Sequence, residues 1–258
     1  MIYKIISYLQ FLKKSTNQHG VHSPFIFDLI TKCFYKKTTR TKLKLITDYR
    51  NVLLQNRQKI EVTDFGKGSK VFKSSVREIA KIAKVAGISK KRSELLIRLV
   101  TYLKLNSILE IGTSLGIGTA SLYIGNPKSN ITTLEGCPKT IQIAKNQFEK
   151  FGFNSVDFVE GDFKTTLPKS IKDTYYDLVY FDGNHQKQPT LDYFKECLNT
   201  IHNNSVFVFD DIHWSKEMEE AWEEIKKHPK VTVTIDTYFW GFVFFRKEQP
   251  KENFTIRV

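Results

Sequence analysis

The 258 residues carry 40 Lys and Arg against 27 Asp and Glu, a net charge of +13, and 41% are hydrophobic. That balance supplies a folded core and excludes a disordered chain, and no apolar run approaches the ~18 residues of a membrane span. The charge is uneven: residues 1–106 hold 23 basic and 6 acidic side chains, residues 107–258 hold 17 and 21. The N-terminal part therefore suits an anionic partner, or is simply a solvated basic surface.

In chain order, residues 2–14 place apolar side chains at helical spacing with Lys4, Lys13 and Lys14 between them, predicting an amphipathic helix rather than a signal peptide. Ser23-Pro24 reads as a cap and first turn for a helix through FIFDLITKCFY. LKLITDYRNVLLQN, SSVREIAKIAKVAG (ending at Gly87) and KRSELLIRLVTYLKL give three more helices. His19 and His22 form a pair with no third ligand nearby in sequence. The loop from Asp64 to Lys70 offers amides, a hydroxyl and lysines that could cradle an anion. Residues 1–90 thus read as a basic, mostly helical cap. Cys33, Cys137 and Cys197 are odd in number and widely spaced, which fits a reducing, cytoplasmic setting without disulfides.

From Ser107 short apolar runs alternate with amphipathic helices: SILEIG, ITTLEG, VDFVEG, YDLVYFDG and SVFVFDD. This alternation predicts a doubly wound α/β domain over residues 91–258, with a mostly parallel sheet and helices on both faces. Two last strands, 231–236 and 241–246, are joined by residues 237–240, too few for a parallel crossover, so they should pair antiparallel.

Directly after SILEI stands Glu110-Ile-Gly-Thr-Ser-Leu-Gly-Ile-Gly-Thr119. Its glycines allow a tight turn and close approach of a ligand to the N-terminus of the next helix. The register does not fit the dinucleotide fingerprint, because Gly112 is followed by Gly116, and no Gly-Lys-Ser/Thr completes a P-loop. Acidic residues then end every following strand: Glu135, Asp162, Asp182, and the Asp210-Asp211 pair. In an open α/β sheet these ends share one edge, where ligands bind, and Glu135 is spaced to take the hydroxyls of a ribose.

With these residues on the page, residues ~91–246 resemble a class I S-adenosylmethionine-dependent methyltransferase of the catechol/caffeoyl-CoA O-methyltransferase-like branch. The resemblance implies a seven-stranded sheet in the order 3-2-1-4-5-7-6 with the last strand antiparallel. It implies S-adenosylmethionine as cofactor, with Glu110, Gly112, Thr113 and Gly116 at its methionine part, Glu135 and Gly136 at the ribose, Asp162 and Phe163 near the adenine, and Asp182 on the cofactor side. It further implies a divalent cation, Mg2+, on Asp182, Asp210 and Asp211, where Asp211 replaces the branch's Asn. Mg2+ accepts either oxygen ligand.

His185, in Asp182-Gly-Asn-His, has the ordinary pKa range of a general base; Asp182, His185 and Asp211 are the expected catalytic group. Trp214 should sit beside the acceptor or pack at a helix start. The expected reaction is O-methylation of a small or medium-sized hydroxyl acceptor, anionic if the basic N-terminal part meets it, with Mg2+ assistance open. RNA methylation through the basic region is the alternative, although no Asn-Pro-Pro-Tyr-type motif stands after the fourth strand. A non-catalytic nucleotide-binding domain is the other alternative. Homodimerisation is left open.

Overall fold

The computed structural model describes residues 2–63 and 74–258; the anion-cradle reading of the loop from Asp64 to Lys70 lies outside them. The chain divides into two compact units, residues 36–170 and residues 1–35 with 171–258.

The first part of the second unit is α1 (Ile2–Lys14) and α2 (Pro24–Leu29). Ser23 Oγ accepts the Ile26 N–H and Pro24 fills the first turn, so α2 starts where the sequence predicts. It continues through a wider π turn over Ile30–Phe34, which buries Ile30, Cys33 and Phe34.

The unit of residues 36–170 begins with α3 (Arg40–Gln55), β1 (Lys59–Glu61), β2 (Val76–Glu78), α4 (Ile79–Val85) and α5 (Lys90–Leu103). The helix expected from residue 74 starts only at Ile79. Val76–Glu78 instead pairs antiparallel with Lys59–Glu61. Helical periodicity there holds only from the buried Ile79, Ala80, Ile82 and Ala83 onward, and a pairing partner fifteen or more residues away overrides the local signal for the three residues before them.

Then follow β3 (Ser107–Ile111), α6 (Ile117–Gly125), β4 (Asn130–Glu135), α7 (Pro138–Phe151), β5 (Val156–Glu160) and α8 (Phe163–Ile171). β4 lies between β3 and β5, parallel to both. Four of the five β3 residues are buried, as a strand covered on both faces must be. α6, buried on nearly every side, has no polar face at all.

The remainder of the other unit contains β6 (Leu178–Phe181), α9 (Lys187–Cys197), β7 (Val206–Asp210), α10 (Lys216–Lys227), β8 (Val233–Asp236), β9 (Trp240–Phe244) and β10 (Glu252–Thr255). β7 runs parallel to β6 and antiparallel to β9, which is also antiparallel to β8. The fold is thus α/β with a mostly parallel sheet. The expectation that the antiparallel strand comes last is corrected: among the described residues a further strand, β10, follows it and adds parallel to β8. ENFT is too short and too polar to announce itself as a strand. Its partner does so: Thr234 Oγ1 donates to Asn253 Oδ1 at 2.7 Å, and Thr16 clamps the far end, donating its N–H to Thr255 O and accepting the Arg257 N–H.

Candidate active site

In the unit of residues 36–170 the chain leaves β3 through Gly112 (φ 110°), Ser114 (φ 49°) and Gly116 (φ 75°) before entering α6. Left-handed residues in alternation turn the loop tightly. A side chain at Gly116 has no room: its Cβ would lie 2.7 Å from Tyr49 Oη and 3.1 Å from Ala144 Cβ. Tyr49, fully buried on α3, donates its hydroxyl to Leu115 O at 3.0 Å. It is stacked over Phe153 and edge-on to Phe148. Tyr49 lies within LKLITDYRNVLLQN, a helix of the expected cap with no site role expected of it. The only sequence signal was an aromatic with a polar tip in an otherwise aliphatic stripe.

Two carboxyl groups, one buried and one half-buried, flank this loop. Glu110 ends up without solvent exposure. Its Oε2 accepts from Thr119 Oγ1 and from Thr133 Oγ1, while Oε1 has no hydrogen-bond partner among the described residues. Thr133 has a single hydroxyl proton, spent on Glu110, so Thr113, 2.5 Å away, must be the donor to Thr133. Burial pushes the Glu110 carboxyl up to about 8, against the opposing pull of the two threonine bonds. An apolar-surrounded, half-satisfied carboxyl is costly unless something else completes it.

Glu135, at the end of β4, accepts the Ser114 N–H through Oε2 at 2.7 Å and the Cys137 N–H through Oε1 at 2.9 Å. Burial raises its carboxyl too, with the backbone bonds working in the opposite direction. The carboxylate is therefore aimed from β4 onto the glycine loop itself. Thr113 is buried and Gly112 and Thr113 both donate their N–H to Leu134 O, which ties the loop to β4 just before Glu135 and Gly136. Gly161 donates to Glu135 O. The next residue, Asp162, caps α8: Oδ1 accepts the Lys164 N–H at 2.9 Å. Phe163 is the first residue of that helix. Glu110, Gly112, Thr113, Gly116, Glu135, Gly136 and Asp162 are thus gathered at the carboxyl ends of three adjacent parallel strands.

In the other unit, Asp182 follows β6 and accepts from Tyr180 Oη at 3.1 Å. His185 Nε2 lies 3.7 Å from Asp182 Oδ1, and both side chains are partly exposed. Asn184 (φ 67°) and His185 (φ 33°) hold successive left-handed backbones, an uncommon cost for side-chain-bearing residues that concentrates at functional loops. Asp210 is buried at the end of β7, and Asp211 turns out of the strand at φ 55°. Among the described residues no group of three or more His, Cys, Asp or Glu is gathered so as to hold a metal ion. The expected Mg2+ ligands Asp182, Asp210 and Asp211 therefore do not form a ready cation site, and no chemical step is derived through one. Trp214 carries Lys4 Nζ of α1 3.0 Å above its ring. His213 is committed to Asp236 Oδ2 at 2.8 Å and stacks on Tyr238. Trp240 is buried in the core against Tyr180 and Phe242.

Residues 109–212, the stretch from β3 to the end of β7, match the model of a family described as a methyltransferase domain. No curated protein matches the sequence significantly. Among solved structures it is similar to the SAH-bound methyltransferase PaMTH1 of Podospora anserina (TM-score 0.60, 16% identity, 82% of this chain and 90% of that one). It is similar to an O-methyltransferase from Bacillus cereus in complex with SAH (TM-score 0.56, 18% identity, 85% and 95%). A Staphylococcus aureus structure assigned as a caffeoyl-CoA O-methyltransferase also matches (TM-score 0.57, 20% identity, 64% and 88%). The likeness is one of fold: the chain shares the α/β fold of these methyltransferases. The residues around the glycine loop fit S-adenosylmethionine, the cofactor expected from the sequence, on their own geometry. Glu110 Oε1 is left without a hydrogen-bond partner among the described residues, Glu135 is fixed at the end of β4, on the edge where an α/β sheet binds its ligand, and Gly116 keeps the loop bare where a side chain would fill it.

Proposed function

We propose that the protein transfers the methyl group of S-adenosylmethionine to a hydroxyl oxygen of a small or medium-sized acceptor. The observation that carries this reading is the pair of carboxyls on the glycine loop, Glu110 buried and half-satisfied, Glu135 locked in place by backbone N–H groups. Bound S-adenosylmethionine supplies a methyl group on a positively charged sulfur, open to in-line attack by an oxygen nucleophile. The chain's part is to bind and orient. Glu110 completes its coordination on the cationic methionine end, Glu135 and Gly136 hold the ribose, and Asp162 with Phe163 borders the adenine. Residues 1–90 act as the cap that selects the acceptor.

His185 is the candidate to take the acceptor's proton, oriented by Asp182; Asp211 lies beyond the neighbouring strand end. With the methyl group supplied by the bound cofactor, His185 would take the proton released from the acceptor hydroxyl. A cation on Asp182, Asp210 and Asp211 would need those side chains to regroup.

Calorimetry with S-adenosylhomocysteine tests the cofactor site. Binding should be lost at least about tenfold in Glu135→Ala; failure of the wild-type protein to bind overturns the proposal. Methyl transfer to a panel of phenolic and sugar hydroxyls, with Mg2+ and with chelator, then separates the bare-histidine route from a metal-assisted one. His185→Ala should lower kcat about 10²-fold or more while leaving S-adenosylhomocysteine affinity intact.

A further inference from the structure

α1 is amphipathic in an unusual sense, since apolar side chains occupy its outer side as well as its inner one. Inward, Tyr3 donates its hydroxyl to Glu219, Ser7 Oγ lies 3.2 Å from Tyr238 Oη, and Phe11 is buried against the Tyr238 ring. Tyr238 Oη also donates to Lys4 O at 2.9 Å, so the helix is pinned along that side. Outward, Ile5 and Leu9 are 56% and 59% exposed, and Ile6 and Leu12 are exposed with them; Tyr8, also partly exposed, sets its ring edge-on to Tyr238. At 3.6 residues per turn Ile5, Leu9 and Leu12 fall within a stripe of roughly 60°, with Ile6 beside it. The same unit leaves Phe239, next to Tyr238, and the terminal Val258 open. Exposed apolar residues scattered singly need no explanation, but four within eight positions of one helix do.

Glu219 and Glu220 lie near Tyr3 at the N-terminal, inward side of α1, while the charges at the C-terminal end of the stripe are basic. Lys13 and Lys14 are exposed in the last turn of α1. Arg257, also exposed, is brought alongside by the backbone bonds of Thr16 to Thr255 and Arg257. The sequence has no acidic residue before Asp28. A second copy of the chain docking through this face would bring the same cations against each other across a two-fold axis. A surface of anionic lipid headgroups would neutralise them while receiving the apolar stripe. No helix among the described residues is long and apolar enough to cross a membrane, so the helix would lie along the surface.

We propose that α1 seats the protein on an anionic membrane surface, with Ile5, Ile6, Leu9 and Leu12 entering the headgroup–acyl boundary and Lys13, Lys14 and Arg257 facing lipid phosphates. The proposal is independent of the methyl-transfer reading. The full chain is sedimented with vesicles of phosphatidylcholine alone and of phosphatidylcholine mixed with phosphatidylglycerol. The mixed vesicles should carry down at least about tenfold more protein, less so as salt rises. Ile5→Ser/Leu9→Ser and Lys13→Gln/Lys14→Gln should each lose about tenfold of that binding, with Tm and S-adenosylhomocysteine affinity unchanged, since all four side chains are exposed. Three results would overturn it: no sedimentation with mixed vesicles, equal binding to both vesicle types, or a solution dimer that Ile5→Ser/Leu9→Ser dissociates.

Discussion

Glu110 is a carboxyl kept dry by the fold, and dryness gives it a pH signature. Its pKa in the folded protein is raised to about 8 from an ordinary 4.5, so the folded chain holds a proton that the unfolded chain releases. The contribution to stability is full below about pH 4.5 and is lost as pH rises through about 8. The Tm of the ligand-free protein should therefore fall across this window through Glu110, and Glu110→Gln should flatten the fall; a variant whose profile runs parallel to the wild type would contradict the assignment. A second residue-scale prediction concerns Tyr49 and Gly116. Gly116→Ala forces a Cβ into both a left-handed backbone and the Tyr49 hydroxyl, costing about 1–3 kcal/mol for the strain and more for the clash. Tyr49→Phe removes the hydroxyl and leaves Leu115 O unpaired, which should weaken S-adenosylhomocysteine binding about 3- to 10-fold. Made together, the two should cost measurably less than the sum of their separate losses in denaturant melts, because the clash is gone.

Among the elements, those defined by their own period were readable and those defined by a distant partner were not. SILEI, ITTLE and VFVFD announce themselves by continuous β-branched and aromatic content, and Ser23-Pro24 by cap chemistry. β2 and β10 carry no such mark: Val76–Glu78 is set by its antiparallel partner Lys59–Glu61, and Glu252–Thr255 by the edge of β8. The acidic strand ends were legible because each carboxylate follows a recognisable strand. The direction of the Thr113–Thr133–Glu110 chain was not, since it depends on which hydroxyl has a proton left to give. β10 offers a prediction at this scale. A chain ending at Gln249 loses the Thr234–Asn253 bond and both backbone bonds to Thr16. Its Tm should drop by several degrees, and limited proteolysis should cut within Ser15–Gly20 sooner than in the full chain.

For the molecule as a whole, folding and cofactor binding are linked. S-adenosylhomocysteine at about a hundred times its Kd should stabilise the protein by ~2.7 kcal/mol, a rise in Tm of roughly 5–11 °C for a chain of this size; scanning calorimetry with and without ligand reads it directly. The same ligand should give a smaller rise in Glu135→Ala at equal concentration. The excess positive charge of residues 1–106 first suggested an anionic partner. In α1 that charge is combined with an outward apolar stripe, a combination legible only once the inward side was known. Sequence periodicity shows that a helix has two sides, but not which of them the protein uses for itself.

The ammonium of Lys4 over Trp214 has one more consequence. Of the three tryptophans, Trp222 and Trp240 are sealed in the core, so their emission should be indifferent to what α1 does. Trp214 has a cation stacked on its ring by that helix, and any loosening of α1 would change the local field and the solvent around the indole. The protein thus carries its own fluorophore for the movement of its first helix, readable as a shift in emission without a label.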